Sequence, residues 1–104
     1  MTTFSTHVLD ATLGRPAEAM VITLALPDGT ERTGETDADG RARIDGDLPT
    51  GVATLTFRTG EWFARQGRET FYPEVTITFT VTAGEHHHVP LLLSPFSYST
   101  YRGS

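Results

Sequence analysis

The chain has no cysteine and no lysine among its 104 residues. Without cysteine there is no disulfide, no thiolate nucleophile and no thiolate metal site. Without lysine, all eight basic side chains are arginine, and Schiff-base chemistry through a side-chain amine is excluded. A basic run is missing too. The formal net charge is -5, and no stretch offers a phosphate backbone a row of cations, so nucleic acid is not an expected partner. No apolar stretch approaches the roughly 20 residues of a membrane-spanning helix, so no membrane partner is expected. The opening segment MTTFSTHVLD lacks the positive stretch and apolar run of a secretory leader, which makes the cytoplasm the expected compartment. GxSxG elbows, Walker loops and HExxH helices are absent, so no standard catalytic motif assigns a reaction.

What is present is period-two alternation. A hydrophobic fraction of 38% and a charged fraction of 20% suit a globular protein, and residues 1–104 make one domain. Val21 to Leu26 ends at the turn signal Pro27-Asp28-Gly29, and Glu31 to Glu35 reads as the return arm of a hairpin. Asp37-Ala38-Asp39-Gly40 is a second turn, with a short strand from Arg41 to Ile44 after it. Val52 to Phe57 alternates with threonine. Glu74 to Val81 puts Val75, Ile77, Phe79 and Val81 on one face and Thr76, Thr78 and Thr80 on the other. Only Glu61 to Gln66, between Gly60 and Gly67, looks helical. Short strands separated by turns predict an all-β antiparallel β-sandwich.

Four places carry groups that could do chemistry. In Ser5 to Asp10, alternation sets His7 opposite Val8, so His7 faces out, or faces a partner, if Val8 faces the core. Arg41 follows a turn at the start of a strand. The Asp37-x-Asp39-Gly40 pattern fails as a calcium loop, because Leu48 stands where the bidentate glutamate belongs. In His86-His87-His88, His86 and His88 share a face and His87 takes the other. That pair with His7 is also the donor set a zinc hydrolase would need. Pro90, inside the same run, removes a ladder donor, so the strand is expected at a sheet edge or locally irregular there. Outward leucines on an edge strand would argue for an oligomer that covers them. The fourth place is Tyr101-Arg102-Gly103-Ser104, which packs an aromatic hydroxyl, a guanidinium and a hydroxyl into four residues.

Together these segments resemble the 5-hydroxyisourate hydrolases, the transthyretin-related enzymes of urate (purine) degradation. The likeness rests on Ser5-Thr6-His7-Val8-Leu9-Asp10 with Gly14-Arg15-Pro16-Ala17, on Thr36 to Arg41, and on Phe71-Tyr72-Pro73-Glu74-Val75. It rests also on His88 to Pro95 (HVPLLLSP) and on the terminal Tyr101 to Ser104. It spans essentially the whole chain. One departure is His87, where the family usually carries tyrosine. The resemblance implies a transthyretin-like sandwich of about eight strands with one short helix, and a homotetramer built as a dimer of dimers. It implies hydrolysis of 5-hydroxyisourate to 2-oxo-4-hydroxy-4-carboxy-5-ureidoimidazoline with no metal and no organic cofactor. It also implies a site of His7, Arg41 and His88 as catalytic residues, with His7, Arg41, Tyr101, Arg102, Gly103 and Ser104 binding substrate. Either histidine could be the base. The competing reading is a non-catalytic protein that binds a flat ligand in the same channel. Against it stands the polar and cationic set His7, Arg41 and His88, since such channels are mostly apolar.

Overall fold

The alternating segments become two stacked sheets in the computed structural model, which describes residues 1–104. The first sheet contains β1 (Thr3–Asp10), the two-residue β2 (Arg15–Pro16), β5 (Arg41–Ile44), β8 (His86–Ser94) and β9 (Ser97–Thr100). The second contains β3 (Val21–Ala25), β4 (Glu31–Glu35), β6 (Gly51–Phe57) and β7 (Val75–Val81), in the order β4-β3-β6-β7. One short helix, α1 (Thr59–Ala64), follows β6. Pairing is antiparallel throughout except between β1 and β8, which run parallel over eight residue pairs from Thr3↔His86 to Asp10↔Leu93. A parallel neighbour must come from far along the chain, and this one joins segments about eighty residues apart.

Alternation sorts the side chains as the sequence predicts. Phe4, Thr6, Val8 and Asp10 point inward from β1, and Leu91 and Leu93 from β8, all at 1% exposure or less. Ile22, Leu24, Leu55 and Phe57 face them from the other sheet. Burial of this apolar surface holds the layers together, at about 25 cal/mol per Å² removed from water. Asp10 is the one buried acid among them. Burial pushes its carboxyl up, but the hydrogen bond from Arg68 Nη1 (2.7 Å) and the N–H groups of Leu13 and Thr12 outweigh this and hold it below the usual carboxylate value. Arg68 in turn lies over the Phe63 ring, 4.8 Å from its centroid, and so ties the end of β1 to the segment after the helix.

Three expectations need correction. Pro90 does not lie on an edge strand: β8 is paired on both sides, by β1 and by β9. The irregularity expected of proline is there instead. The β8–β9 ladder stops at Leu91↔Thr100, and the pairing resumes in the same register as an isolated bridge, His88↔Gly103. The missing N–H of Pro90 falls in that gap. The leucines follow the same logic, since Leu91 and Leu93 are core residues and only Leu92 faces out, half-buried. They therefore lend no support to an oligomer. Finally, the helix begins two residues earlier than the sequence suggests, at Thr59. There the Thr59 hydroxyl donates to Tyr72 O (2.6 Å) and Gly60 N–H to Pro73 O (2.8 Å), so the first turn is held by the loop that follows it.

Candidate active site

Strand register assembles the site from segments far apart in sequence. On the outer face of the five-stranded sheet, Thr3, Ser5 and His7 stand beside His86, His88 and Pro90, their Cα partners on β8. On the other side of β1, His7 is opposite Arg41 and Ser5 opposite Arg43. One surface thus carries three imidazoles and two guanidiniums. His7 and His88 are half-buried, while His86, Arg41 and Arg43 are exposed.

Arg41 is placed by the turn before it. Asp37 Oδ1 accepts the backbone N–H groups of Asp39 and Arg41, both at 2.9 Å. Gly40 has φ 75°, and a Cβ there would run into the carbonyl oxygen of Val8. Only glycine lets the turn press so closely onto β1, and the Val8 N–H to Gly40 O bond of 2.7 Å records the contact. The same turn holds His7, whose Nε2 lies 2.9 Å from Asp39 O. A carbonyl can only accept, so His7 Nε2 carries a proton. The Arg41 guanidinium makes no ion pair inside the chain and lines two adjoining cavities, one shared with His88, Glu35 and Asp37, the other with His7 and Asp39.

His88 is held from three sides. Ser5 Oγ lies 2.8 Å from its Nδ1. Gly103 N–H donates to His88 O at 2.9 Å. Gly103 also lies against the imidazole so closely that an added Cβ would collide with Cδ2. No hydrogen bond inside the chain engages Nε2. Burial lowers the pKa of His88 below the ordinary imidazole value, and the charges of His7, His86 and Arg41 lower it further. A half-buried, neutral imidazole with one nitrogen tethered and the other open has the makings of a general base.

Beyond His88 lies a crevice of about 400 Å³ lined by Ile77, Phe79, Val89, Thr100, Tyr101 and Arg102 among others. Tyr101 is exposed there. Arg102 turns to Glu85, with Nη2 to Oε1 at 2.8 Å, and Ser104 is exposed. Within one chain, then, His7, Arg41, His88 and Gly103 come together, Tyr101 borders them, and Arg102 is engaged elsewhere.

The three histidines of the run part as expected. His87 is buried, accepting the Thr82 N–H at Nε2 (2.9 Å) and donating from Nδ1 to Thr3 O (3.0 Å). Those bonds give it a structural task between β1 and the β7–β8 turn. His7, His86 and His88 do not gather as a metal-binding trio; His86 Nε2 and His88 Nδ1 both address Ser5 Oγ instead. Ser5 and Thr3 join the site beside the residues the sequence singles out. Period two does carry that signal, since both share a face with His7.

The chain is similar to known proteins over nearly its whole length. The family model described as HIUase/Transthyretin family matches residues 4–103. The 5-hydroxyisourate hydrolase of Caulobacter vibrioides is 42% identical over the full length of both chains. The structure of Klebsiella pneumoniae 5-hydroxyisourate hydrolase aligns with a TM-score of 0.91 at 43% identity, covering 99% of this chain and 100% of that one. Sea bream transthyretin, solved in complex with thyroxine, aligns with a TM-score of 0.85 at 31% identity over 96% of this chain and 93% of its own. With the family model, the sequence likeness and the fold all in accord, the chain belongs to the HIUase/Transthyretin family.

Proposed function

We propose that the outer face of the five-stranded sheet hydrolyses 5-hydroxyisourate, the compound for which enzymes similar to this chain are named. The observation that carries this reading is His88: a tethered imidazole, kept neutral by burial and neighbouring charge, with Nε2 unengaged, in a cavity that Arg41 and Arg43 also line. His88 Nε2 takes a proton from water. The water oxygen bonds to the carbonyl carbon of the six-membered ring, and negative charge grows on the carbonyl oxygen. Arg41, whose planar fork is unpaired within the chain, stabilises that charge. The ring C–N bond then breaks, and the leaving nitrogen takes the proton back from His88. The product is a carboxylated imidazoline. His7, whose protonated Nε2 is held on Asp39 O, serves as an orienting group. Tyr101, Arg102, Gly103 and Ser104 border the substrate.

The same reading includes a homotetramer, a dimer of dimers, in which this face is covered by another subunit, and a cytoplasmic location. The alternative of a ligand-binding protein draws on the apolar lining of the crevice and on the thyroxine complex of the sea bream relative. The cationic face argues against it. Loss of the ultraviolet absorbance of freshly generated 5-hydroxyisourate decides between them. The wild-type chain should consume the substrate far faster than buffer, and Arg41→Ala and His88→Ala should not. Equal rates for wild type and buffer would overturn the proposal.

A further inference from the structure

Behind His88 the outer face carries a continuous chain of hydrogen bonds. His88 Nδ1 lies 2.8 Å from Ser5 Oγ, Ser5 Oγ lies 2.8 Å from His86 Nε2, and His86 Nδ1 lies 2.6 Å from Thr3 Oγ1. The strand register makes this possible. Thr3↔His86 and Ser5↔His88 are consecutive same-face pairs across β1 and β8, so hydroxyls and imidazoles alternate along the seam. His88 is half-buried at one end and His86 exposed at the other.

We propose that Ser5 and His86 form a proton relay behind His88, and that the hydroxyl between the two rings makes the tautomer of one depend on the proton held by the other. The proposal rests on the hydrolase reading for its catalytic meaning, but the coupling itself is a property of the free protein.

The argument is one of donor counting. A serine hydroxyl has one proton to donate and lone pairs to accept. Placed between two ring nitrogens, it donates to one and accepts from the other. In the first arrangement His88 Nδ1–H donates to Ser5 Oγ, and Ser5 O–H donates to His86 Nε2. His88 Nε2 then holds a free lone pair and can act as base. In the second arrangement His86 Nε2–H donates to Ser5 Oγ, and Ser5 O–H donates to His88 Nδ1. His88 then carries its proton on Nε2 and can act only as acid. Once His88 has taken a proton at Nε2, moving two protons along these two short hydrogen bonds converts the first arrangement into the second and leaves the added charge on His86.

Turnover uses both arrangements and conserves protons. When His88 Nε2 takes a proton from water, the ring becomes a cation close to His7 on β1 and Arg41 on β5. Shifting the Nδ1 proton to Ser5, and the Ser5 proton to His86 Nε2, moves that charge to the exposed ring. His86 is exposed to solvent, and its cavity is lined by Glu35 and Asp37 as well as by Arg41 and Arg43. As the C–N bond breaks, His88 gives its Nε2 proton to the leaving nitrogen. The relay then runs back, restoring the proton to His88 Nδ1. Ser5 and His86 never touch the reacting atoms and act through His88 alone.

Four variants and one spectroscopic measurement test this in the full chain. Ser5→Ala should lower kcat about tenfold, part of the 10²–10⁴ attributed to general acid–base catalysis, with KM unchanged. His86→Gln keeps hydrogen-bonding capacity but cannot hold the extra proton, and it sits at an exposed position where folding is not at stake. It should lose a similar factor. The double variant should be no slower than either single one, because the two residues act as a unit. In both single variants the acid limb of the pH–rate profile should move to lower pH, since protonating His86 no longer switches the His88 tautomer. Ser5→Thr, which keeps the hydroxyl, should restore the rate. Without substrate, ¹⁵N NMR of the imidazoles should show His88 protonated at Nδ1 near neutral pH and shifting to Nε2 as His86 takes up a proton, and Ser5→Ala should abolish that shift. Wild-type kcat and an unmoved acid limb in both variants would overturn the relay, as would a His88 tautomer indifferent to His86. A wild-type chain that shows the tautomer exchange but no turnover would overturn the hydrolase reading and uphold the relay.

Discussion

The two sheets alternate inward and outward side chains in the same way and differ in chemistry on their outer faces. The four-stranded sheet presents Thr23 from β3, Thr54 and Thr56 from β6, and Thr76 and Thr78 from β7. The hydroxyls meet in cross-strand pairs, at 3.3 Å for Thr56 and Thr76 and 3.5 Å for Thr54 and Thr78. These pairs stabilise a sheet modestly, and no histidine or arginine breaks their pattern on β6 or β7. The five-stranded sheet puts Ser5, His7, His86, His88, Arg41 and Arg43 at equivalent outward positions. Alternation serves both faces alike, so the difference in chemistry lies in the side chains each face carries. One face closes its hydrogen bonds on itself. The other leaves a ring nitrogen and a guanidinium without partners in the chain, and groups left open in this way are what a substrate can use.

The comparison can be broken by substitution on either face. The largest effect belongs to His88→Ala, which should cut turnover of 5-hydroxyisourate by about a hundredfold or more; near-normal turnover would move the chemistry off this face. Next is Gly103→Ala. Its new Cβ would strike the His88 ring, so turnover should fall about tenfold, on the scale of a misplaced catalytic group, while the unfolding midpoint changes little. Full activity would mean that the ring can move aside at no cost to catalysis.

Acidification should have a graded effect. The base must be unprotonated at His88 Nε2, and burial, followed by the charges of His7, His86 and Arg41, lowers the affinity of this ring for a proton. Activity should therefore be full near neutral pH and fall as pH drops, because protonation removes the lone pair. A rate flat from mildly acidic to neutral pH would contradict a histidine base. The smallest effect is expected on the other sheet. Thr56→Val should leave turnover unchanged and shift stability by no more than about 0.5 kcal/mol, as surface substitutions do, measured by urea unfolding. A loss of activity there would show that the faces are not independent.

Much of the fold was legible because period two is a local signal. Glu74 to Val81 needs no partner to reveal which side faces in, and the buried Val75 and Val81 bear this out. The split of His86 and His88 from His87 was legible for the same reason. Neighbourhood across the sheet was not. Pro90 looked like an edge residue because nothing local reveals that β9 pairs up to Thr100 and then skips two residues. Ser5 was invisible as a partner of His88 because that contact depends on the register of strands 83 residues apart. Arg41 stood out only through family resemblance, since an arginine after a turn is ordinary in isolation. The site is legible in sequence as a set of residue types, and becomes an arrangement only once register is known.

The parallel pairing of β1 with β8 has a further consequence in time. It joins segments at opposite ends of the domain, and contacts of such long sequence separation make folding slow. His7 and Ser5 meet His88 and Gly103 only when that pairing closes. The four-stranded sheet, by contrast, is built from hairpins and nearer neighbours and can form first. Recovery of activity on refolding is thus a clock for the last large event, and a chain whose hairpins are complete but whose ends have not met has every catalytic residue and no site.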